Sequence, residues 1–327
     1  MNLNFRSVLL RFVRWLHHLD FRFVLPGIAR MPLAMAYRLA AWRAWINQVS
    51  SRDWRSVALG TRHIHRQSLE AYLRLEKSPE DGNKTVWRKA RFATEAREEF
   101  EARLVVRNRL NELDCTFLPA SAQAVCARQE RGLVLLTPHF DSFFLGAGFL
   151  ARAGGPINFM ASAITHDPRV DTAVQKHFET KYRSLETHLN GGKIVNMEDG
   201  MRPFYRMLER KETLIVLGDS PPLQPELSDA DLVVNFLGAT RRLAGGALRL
   251  AQSTDSNLGA YVCNYQSPGH YIVEVCPIGP ANDPQTVQRI YDFFSAAILK
   301  NPGLWWGSDL LPSMPLELDS FKRESAT

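Results

Sequence analysis

Apolar and polar positions along this chain change their period near residue 117. Before it, apolar residues recur at helical spacing; after it, short unbroken apolar runs alternate with helical stretches. In residues 3–19, Phe5, Val8, Leu9, Phe12, Val13, Trp15 and Leu16 fall on one side of a helical wheel. Arg6, Arg11, Arg14, His17 and His18 fall on the other, with Leu10 out of place. Pro26-Gly27 is expected to break this helix. Residues 29–48 resume the pattern, and residues 53–77 give another helix. Lys77 to Lys84 reads as a polar, turn-rich linker. Residues 85–113 read as a charged helix, with Glu95, Arg97, Glu98, Glu99 and Glu101 on a solvated face. His63-Ile64-His65 has no metal-ligand partner nearby and reads as surface.

Downstream, strands are expected at 133–136, 157–161, 193–196, 213–217, 232–237, 259–264 and 271–275. Helices are expected at 143–150, 170–182, 203–210, 243–252 and 286–299. This alternation defines the fold class: α/β, a mixed, largely parallel β-sheet flanked by helices, preceded by a basic amphipathic helical segment. The expected division is a helical part over 1–115, an α/β core over 116–315 and a polar tail over 316–327, in one compact unit. Asn190-Gly191-Gly192-Lys193 lacks the glycine spacing of a P-loop.

The strand expected at 133–136 runs through Thr137-Pro138 into His139-Phe140-Asp141-Ser142, and a helix follows from Phe143. His139 therefore stands where a strand gives way to a helix N-terminus. Ligands of open α/β sheets bind at that edge, and a helix N-terminus favours developing negative charge. A neutral imidazole beside a carboxylate can take a hydroxyl proton. Asp141, two residues on, is the nearest acid, and Asp219 stands at the end of the 213–217 strand. Ser142 lacks the Gly-x-Ser-x-Gly elbow of a covalent nucleophile.

Composition narrows the partners. The chain has 327 residues, 45% of them hydrophobic, and a net charge of +6. That excludes a disordered chain and favours an acidic partner. Arginine is dense and acids are few before residue 70, among membrane-type aromatics, so an anionic lipid surface fits better than nucleic acid. The four cysteines form no Cys-x-x-Cys pair, which argues against a structural zinc site and for a reducing compartment. No secretory signal and no uncharged run long enough to span a bilayer is expected.

Several stretches, in order, resemble the lipid A biosynthesis (lauroyl/myristoyl) acyltransferases of the lysophospholipid acyltransferase superfamily. Val134 to Phe140 is similar to the family's strand and catalytic histidine, and Leu214 to Asp219 to its strand ending in aspartate. Val234 to Thr240 with Gly245 to Ala251 resembles its Phe-x-Gly block and following helix, and Trp305-Trp306 the tryptophan near its end. The resemblance implies a glycerol-3-phosphate acyltransferase-like fold. It also implies transfer of a fatty acyl group from acyl carrier protein or coenzyme A to a lipid or glycolipid hydroxyl, at the cytoplasmic face of the bacterial inner membrane. The thioester is a co-substrate, and no cofactor or metal is expected.

His139 is then the general base and Asp141 its orienting acid, with Ser142, Asp219, Arg241, Arg242 and Lys176 as substrate-binding residues; the arginine pair would hold a phosphate. One departure stands out: the family usually carries an acid at the fifth position after the histidine, and here that position is Phe144. Asp141 takes over through a different turn, or Asp219 or another acid does, or the site is altered. A non-catalytic lipid- or carrier-binding relative and an acyl-thioester hydrolase stay open beside the transferase.

Overall fold

A computed structural model describes residues 3–74, 84–127, 130–162, 167–222 and 231–316. Of the expected linker only Lys84 falls among them, and residues 317–327 of the expected tail lie outside. The centre is a seven-stranded sheet of β1 (Asp114–Leu118), β2 (Leu133–Thr137), β3 (Ile157–Ala161), β4 (Ile194–Asn196), β5 (Thr213–Leu217), β8 (Asn257–Ser267) and β9 (His270–Pro280). Their order is β1-β9-β8-β2-β5-β3-β4, and every pairing is parallel except β8 with β9. The expected largely parallel sheet is what forms.

Two strand assignments depart from expectation. β1 forms where no strand was expected. β6 (Asp231–Phe236) also pairs with β7 (Ala239–Ala244) as a separate antiparallel hairpin, where a helix was expected to start at Leu243.

The central strands are buried on both faces, and their period of two divides the core. Leu133, Leu135 and Ile215 point into one apolar cluster. Val134, Leu136, Leu214 and Val216 point into the other. The first cluster holds α7 (Phe143–Leu150) and α8 (Thr172–Glu186). The second holds α9 (Arg202–Glu209), α10 (Gly246–Ser253) and α11 (Pro284–Lys300).

The N-terminal part is helical, as expected: α1 (Leu3–Leu19), α2 (Leu25–Ile28), α3 (Leu33–Ser50), α4 (Trp54–Leu59), α5 (His63–Arg74) and α6 (Lys84–Val106). Pro26 does not end the first helix, because a π-helical turn over Asp20–Val24 precedes it and places the proline in the first turn of α2. The break comes after Ile28.

α6 overturns the expectation of a solvated charged face. Glu95, Glu98, Glu99 and Glu101 are all buried. Glu99 meets Arg43 Nη1 at 2.6 Å, Glu95 meets Arg91 Nη1 at 3.2 Å, and Glu98 pairs with Lys181 of α8. Arg43 and Lys181 come from other helices and Arg91 from α6 itself, so the period of charge along α6 reports buried pairing and not solvent. Burial pushes the carboxyls of Glu99 and Glu101 up to about 8, against the opposing pull of Arg43 and Arg97 respectively. His63 and His65 are not free surface groups either: His63 Nε2 lies 3.2 Å from Asp309 and His65 Nε2 lies 2.7 Å from Ser51 Oγ.

Expected on the polar side of α1, His17 is instead buried. Its ring packs 4.8 Å from that of Phe21, which meets His177 of α8 edge-on at 5.3 Å. Burial, opposed by Asp20 and reinforced by Arg43 and Arg52, lowers His17 to about 4; burial and then Arg103 lower His177 as well. Between pH 6.5 and 4 the unfolded chain therefore binds more protons than the fold, and stability falls as pH falls through that window. His17 alone contributes a loss on the order of 3 kcal/mol by the bottom of it. Urea midpoints measured across this window should drop less steeply in His17→Leu than in the parent; equal slopes would contradict this account.

Candidate active site

β2 and β5 are parallel neighbours with Thr137 opposite Leu217, and the Gly218 N–H donates to the Thr137 carbonyl at 2.9 Å. Both strands thus end at one level of the carboxyl edge. His139 and Asp219, each two residues further on, leave the sheet side by side. The His139 N–H donates to Asp219 Oδ2 at 2.9 Å, and His139 Nδ1 lies 2.7 Å from Asp219 Oδ1. A third donor, the indole Nε1–H of Trp305, reaches Oδ2 at 2.7 Å. Asp219 is wholly buried, whereas the imidazole keeps 22% of its surface exposed. A carboxylate can only accept, so in the neutral ring Nδ1 carries the proton and Nε2 keeps its lone pair.

The C-terminal turns hold this arrangement. Trp306 N–H donates to the His139 carbonyl, and Phe140 forms an antiparallel bridge with Trp305. The Trp306 ring packs 5.8 Å from Phe143, itself 5.9 Å from the imidazole. Gly307 lies hard against the pair: a Cβ there would stand 2.5 Å from Asp219 Oδ2 and 2.7 Å from Trp305 Nε1.

Asp141 does not orient the histidine, contrary to expectation. It adopts φ +46°, which turns its side chain toward β8. There its Oδ2 accepts from the Tyr265 N–H at 2.8 Å and its Oδ1 pairs with Arg97. Burial works against the charge of Arg97, yet Asp141 and then Glu101 hold that guanidinium above its ordinary range. The carboxylate nearest in sequence therefore fixes α6 to the sheet, and the one 80 residues away meets the imidazole.

The other expected site residues are placed as follows. Ser142 is buried, with Oγ 3.4 Å from Asp141 Oδ1 and its N–H given to the Cys263 carbonyl, so it is not presented to a substrate. Arg241 and Arg242 are buried on β7, where Arg241 Nε donates to the Phe236 carbonyl at 3.1 Å and Arg242 pairs with Asp231. Lys176 is exposed on α8, and the buried lysine of that helix is Lys181. Phe144 is core: the Lys181 ammonium sits 4.1 Å from its ring centroid, and Phe159 and Tyr182 flank it. Trp305 and Gly307 were missed as parts of the site; the paired tryptophans near the end of the chain were the only signal.

An imidazole held by a buried carboxylate thus stands at the carboxyl edge of a largely parallel sheet, where ligands of open α/β sheets bind. The family model described as bacterial lipid A biosynthesis acyltransferase matches residues 124–306, and the chain belongs to that family. The match takes in β2, β5 and the Trp305-Trp306 turn. No curated protein matches the chain. Membership makes it an acyltransferase that uses an acyl donor and a lipid acceptor, in a family whose members are membrane-associated.

Two substitutions test the support of Asp219. Gly307→Ala should lower kcat at least tenfold with KM little changed, because the added methyl displaces the carboxylate. Trp305→Phe, which keeps the ring and loses the donor, should lose on the order of 1.5–3 kcal/mol of hydrogen bonding to a charged group. Steady-state kinetics matching the parent for both would rule out this role.

Proposed function

We propose that this chain moves a fatty acyl group from the thioester of acyl carrier protein or coenzyme A to a hydroxyl of a lipid or glycolipid, with His139 as general base. The contact of 2.7 Å between His139 Nδ1 and Asp219 Oδ1 carries the reading. Nε2 takes the proton of the acceptor hydroxyl as its oxygen attacks the thioester carbonyl. Asp219 holds the tautomer and stabilises the imidazolium, and the thiolate leaves with the proton that Nε2 returns. The Ser142 N–H is committed to Cys263, so the oxyanion falls to N–H groups of the first turn of α7, which helix geometry leaves without an intrahelical acceptor. With Asp219 in this role, Phe144 at the fifth position does not imply a dead site.

We place the work at a bilayer surface, on the cytoplasmic face of the bacterial inner membrane, with the protein bound peripherally. Phe12, Trp15, Phe23, Trp42 and Trp45 are 53 to 61% exposed, and Arg11, Arg14, Arg22, Arg30 and Arg38 lie exposed among them. Aromatic rings with interleaved arginines suit the headgroup level. Among the described residues no helix is long and apolar enough to cross a membrane.

Labelled acyl carrier protein and acyl-coenzyme A, each incubated with the protein and a bacterial lipid extract, test the reaction. Labelled acyl-lipid should form, and His139→Ala should reduce it about 10²–10⁴-fold. Asp219→Asn should fall in the same range. Asp141→Asn should mainly lower the unfolding temperature, since it breaks a buried ion pair. Free fatty acid as sole product would make the protein a hydrolase, and full activity in His139→Ala would remove the base from this account.

A further inference from the structure

A cleft in the N-terminal helices is lined by residues between Leu16 and Arg52, none of them at the His139 site. It measures about 560 Å³, within the usual range of small-molecule sites. Its walls are apolar: Leu16, Phe23, Val24, Leu39, Trp42 and Ile46 line it from α1, the π-turn and α3. Two of its charged lining residues neutralise each other, since Arg43 grips Asp20 through Nε and Nη2 at 2.7–3.1 Å and spends Nη1 on Glu99. The third is Arg52. Among the described residues its Nε is buried without a hydrogen-bond partner, and its Nη2 reaches only Asn47 Oδ1, at 3.5 Å. An apolar cleft whose Arg52 guanidinium has no acidic partner among the described residues is complementary to an alkyl chain joined to an anionic head. The exposed Phe23 and Trp42 belong both to the cleft and to the aromatic, arginine-rich surface around it.

We propose that this cleft binds one molecule of an anionic bilayer phospholipid, an acyl chain lying between α1 and α3 and the headgroup phosphate on Arg52. The site is separate from the reaction centre and anchors the protein to a membrane of the right charge. Gly27 lines the cleft, and a Cβ there would meet nothing within 4 Å, so a larger residue can fill the space without displacing the fold.

Titration calorimetry of the full chain with short-chain phosphatidylglycerol, below its micelle concentration, tests this. One site is expected, with phosphatidylcholine bound at least about fivefold more weakly, the share of one lost cationic contact. Arg52→Gln should weaken phosphatidylglycerol by a similar factor. Gly27→Leu should abolish binding while keeping the parent's unfolding temperature within a few degrees and its acyl transfer in detergent micelles. Should Gly27→Leu fail to fold, Arg52→Gln decides alone. His139→Ala should bind like the parent, so this site and the proposed reaction fail separately. Equal affinity for the two lipids, unchanged affinity in Arg52→Gln, no binding at all, or tighter binding of a free fatty acid that displaces phosphatidylglycerol would each overturn the proposal.

Discussion

The Asp219 carboxylate has no access to solvent, and three N–H donors from two distant parts of the chain converge on it. A lone buried carboxylate would cost several kcal/mol, whereas hydrogen bonds to a charged group return about 1.5–3 kcal/mol each. That balance dictates the local structure. The loop after β2 must bring its N–H and imidazole to the carboxylate, and the C-terminal turn must bring the Trp305 indole. Gly307 must stay without a side chain for both to fit. Orientation of the imidazole is thus a by-product of satisfying one buried charge, and it comes with a fixed tautomer.

A second buried network ties this edge of the sheet to the N-terminal helices. Arg97 of α6 pairs with Asp141 next to the site, and one turn on Glu101 accepts from the Tyr271 hydroxyl at 2.7 Å, which is bonded in turn to Tyr37 of α3. Glu99 joins Arg43 and, through it, Asp20 at the end of α1. Helix α6 is therefore a polar spine inside the protein. The helices that carry the exposed aromatics are bonded through it to the strand end that carries the histidine. A surface suited to lipid and a site suited to acyl transfer are held in fixed relation by these contacts.

Much of this was legible in the residues. The unbroken apolar runs at 133–136 and 213–217 announced strands buried on both faces, and Pro138 marked where the first one ends. His139 and Asp219 both stood out as strand-end residues. Their pairing did not, because proximity in sequence pointed to Asp141, while the parallel register that aligns Thr137 with Leu217 is a property of the folded sheet. The positive φ of Asp141, which turns it away, likewise left no mark in a residue type common at helix starts. The charges of α6 misled for a related reason: Glu98, Glu99 and Arg97 find partners on other elements, at Lys181, Arg43 and Asp141. The β6–β7 hairpin was hidden because Leu237 occupies a left-handed turn position that usually falls to glycine or asparagine.

In the neutral ring the Asp219 carboxylate accepts from a proton-bearing Nδ1 and leaves Nε2 bare. Nitrogen-15 NMR of the protein labelled at histidine, with the His139 ring assigned by its loss in His139→Gln, reads this directly. At alkaline pH the ring should be the neutral tautomer protonated on Nδ1, and Asp219→Ala should abolish that preference. A ring protonated on Nε2 in the parent, or a tautomer indifferent to the loss of Asp219, would contradict the account.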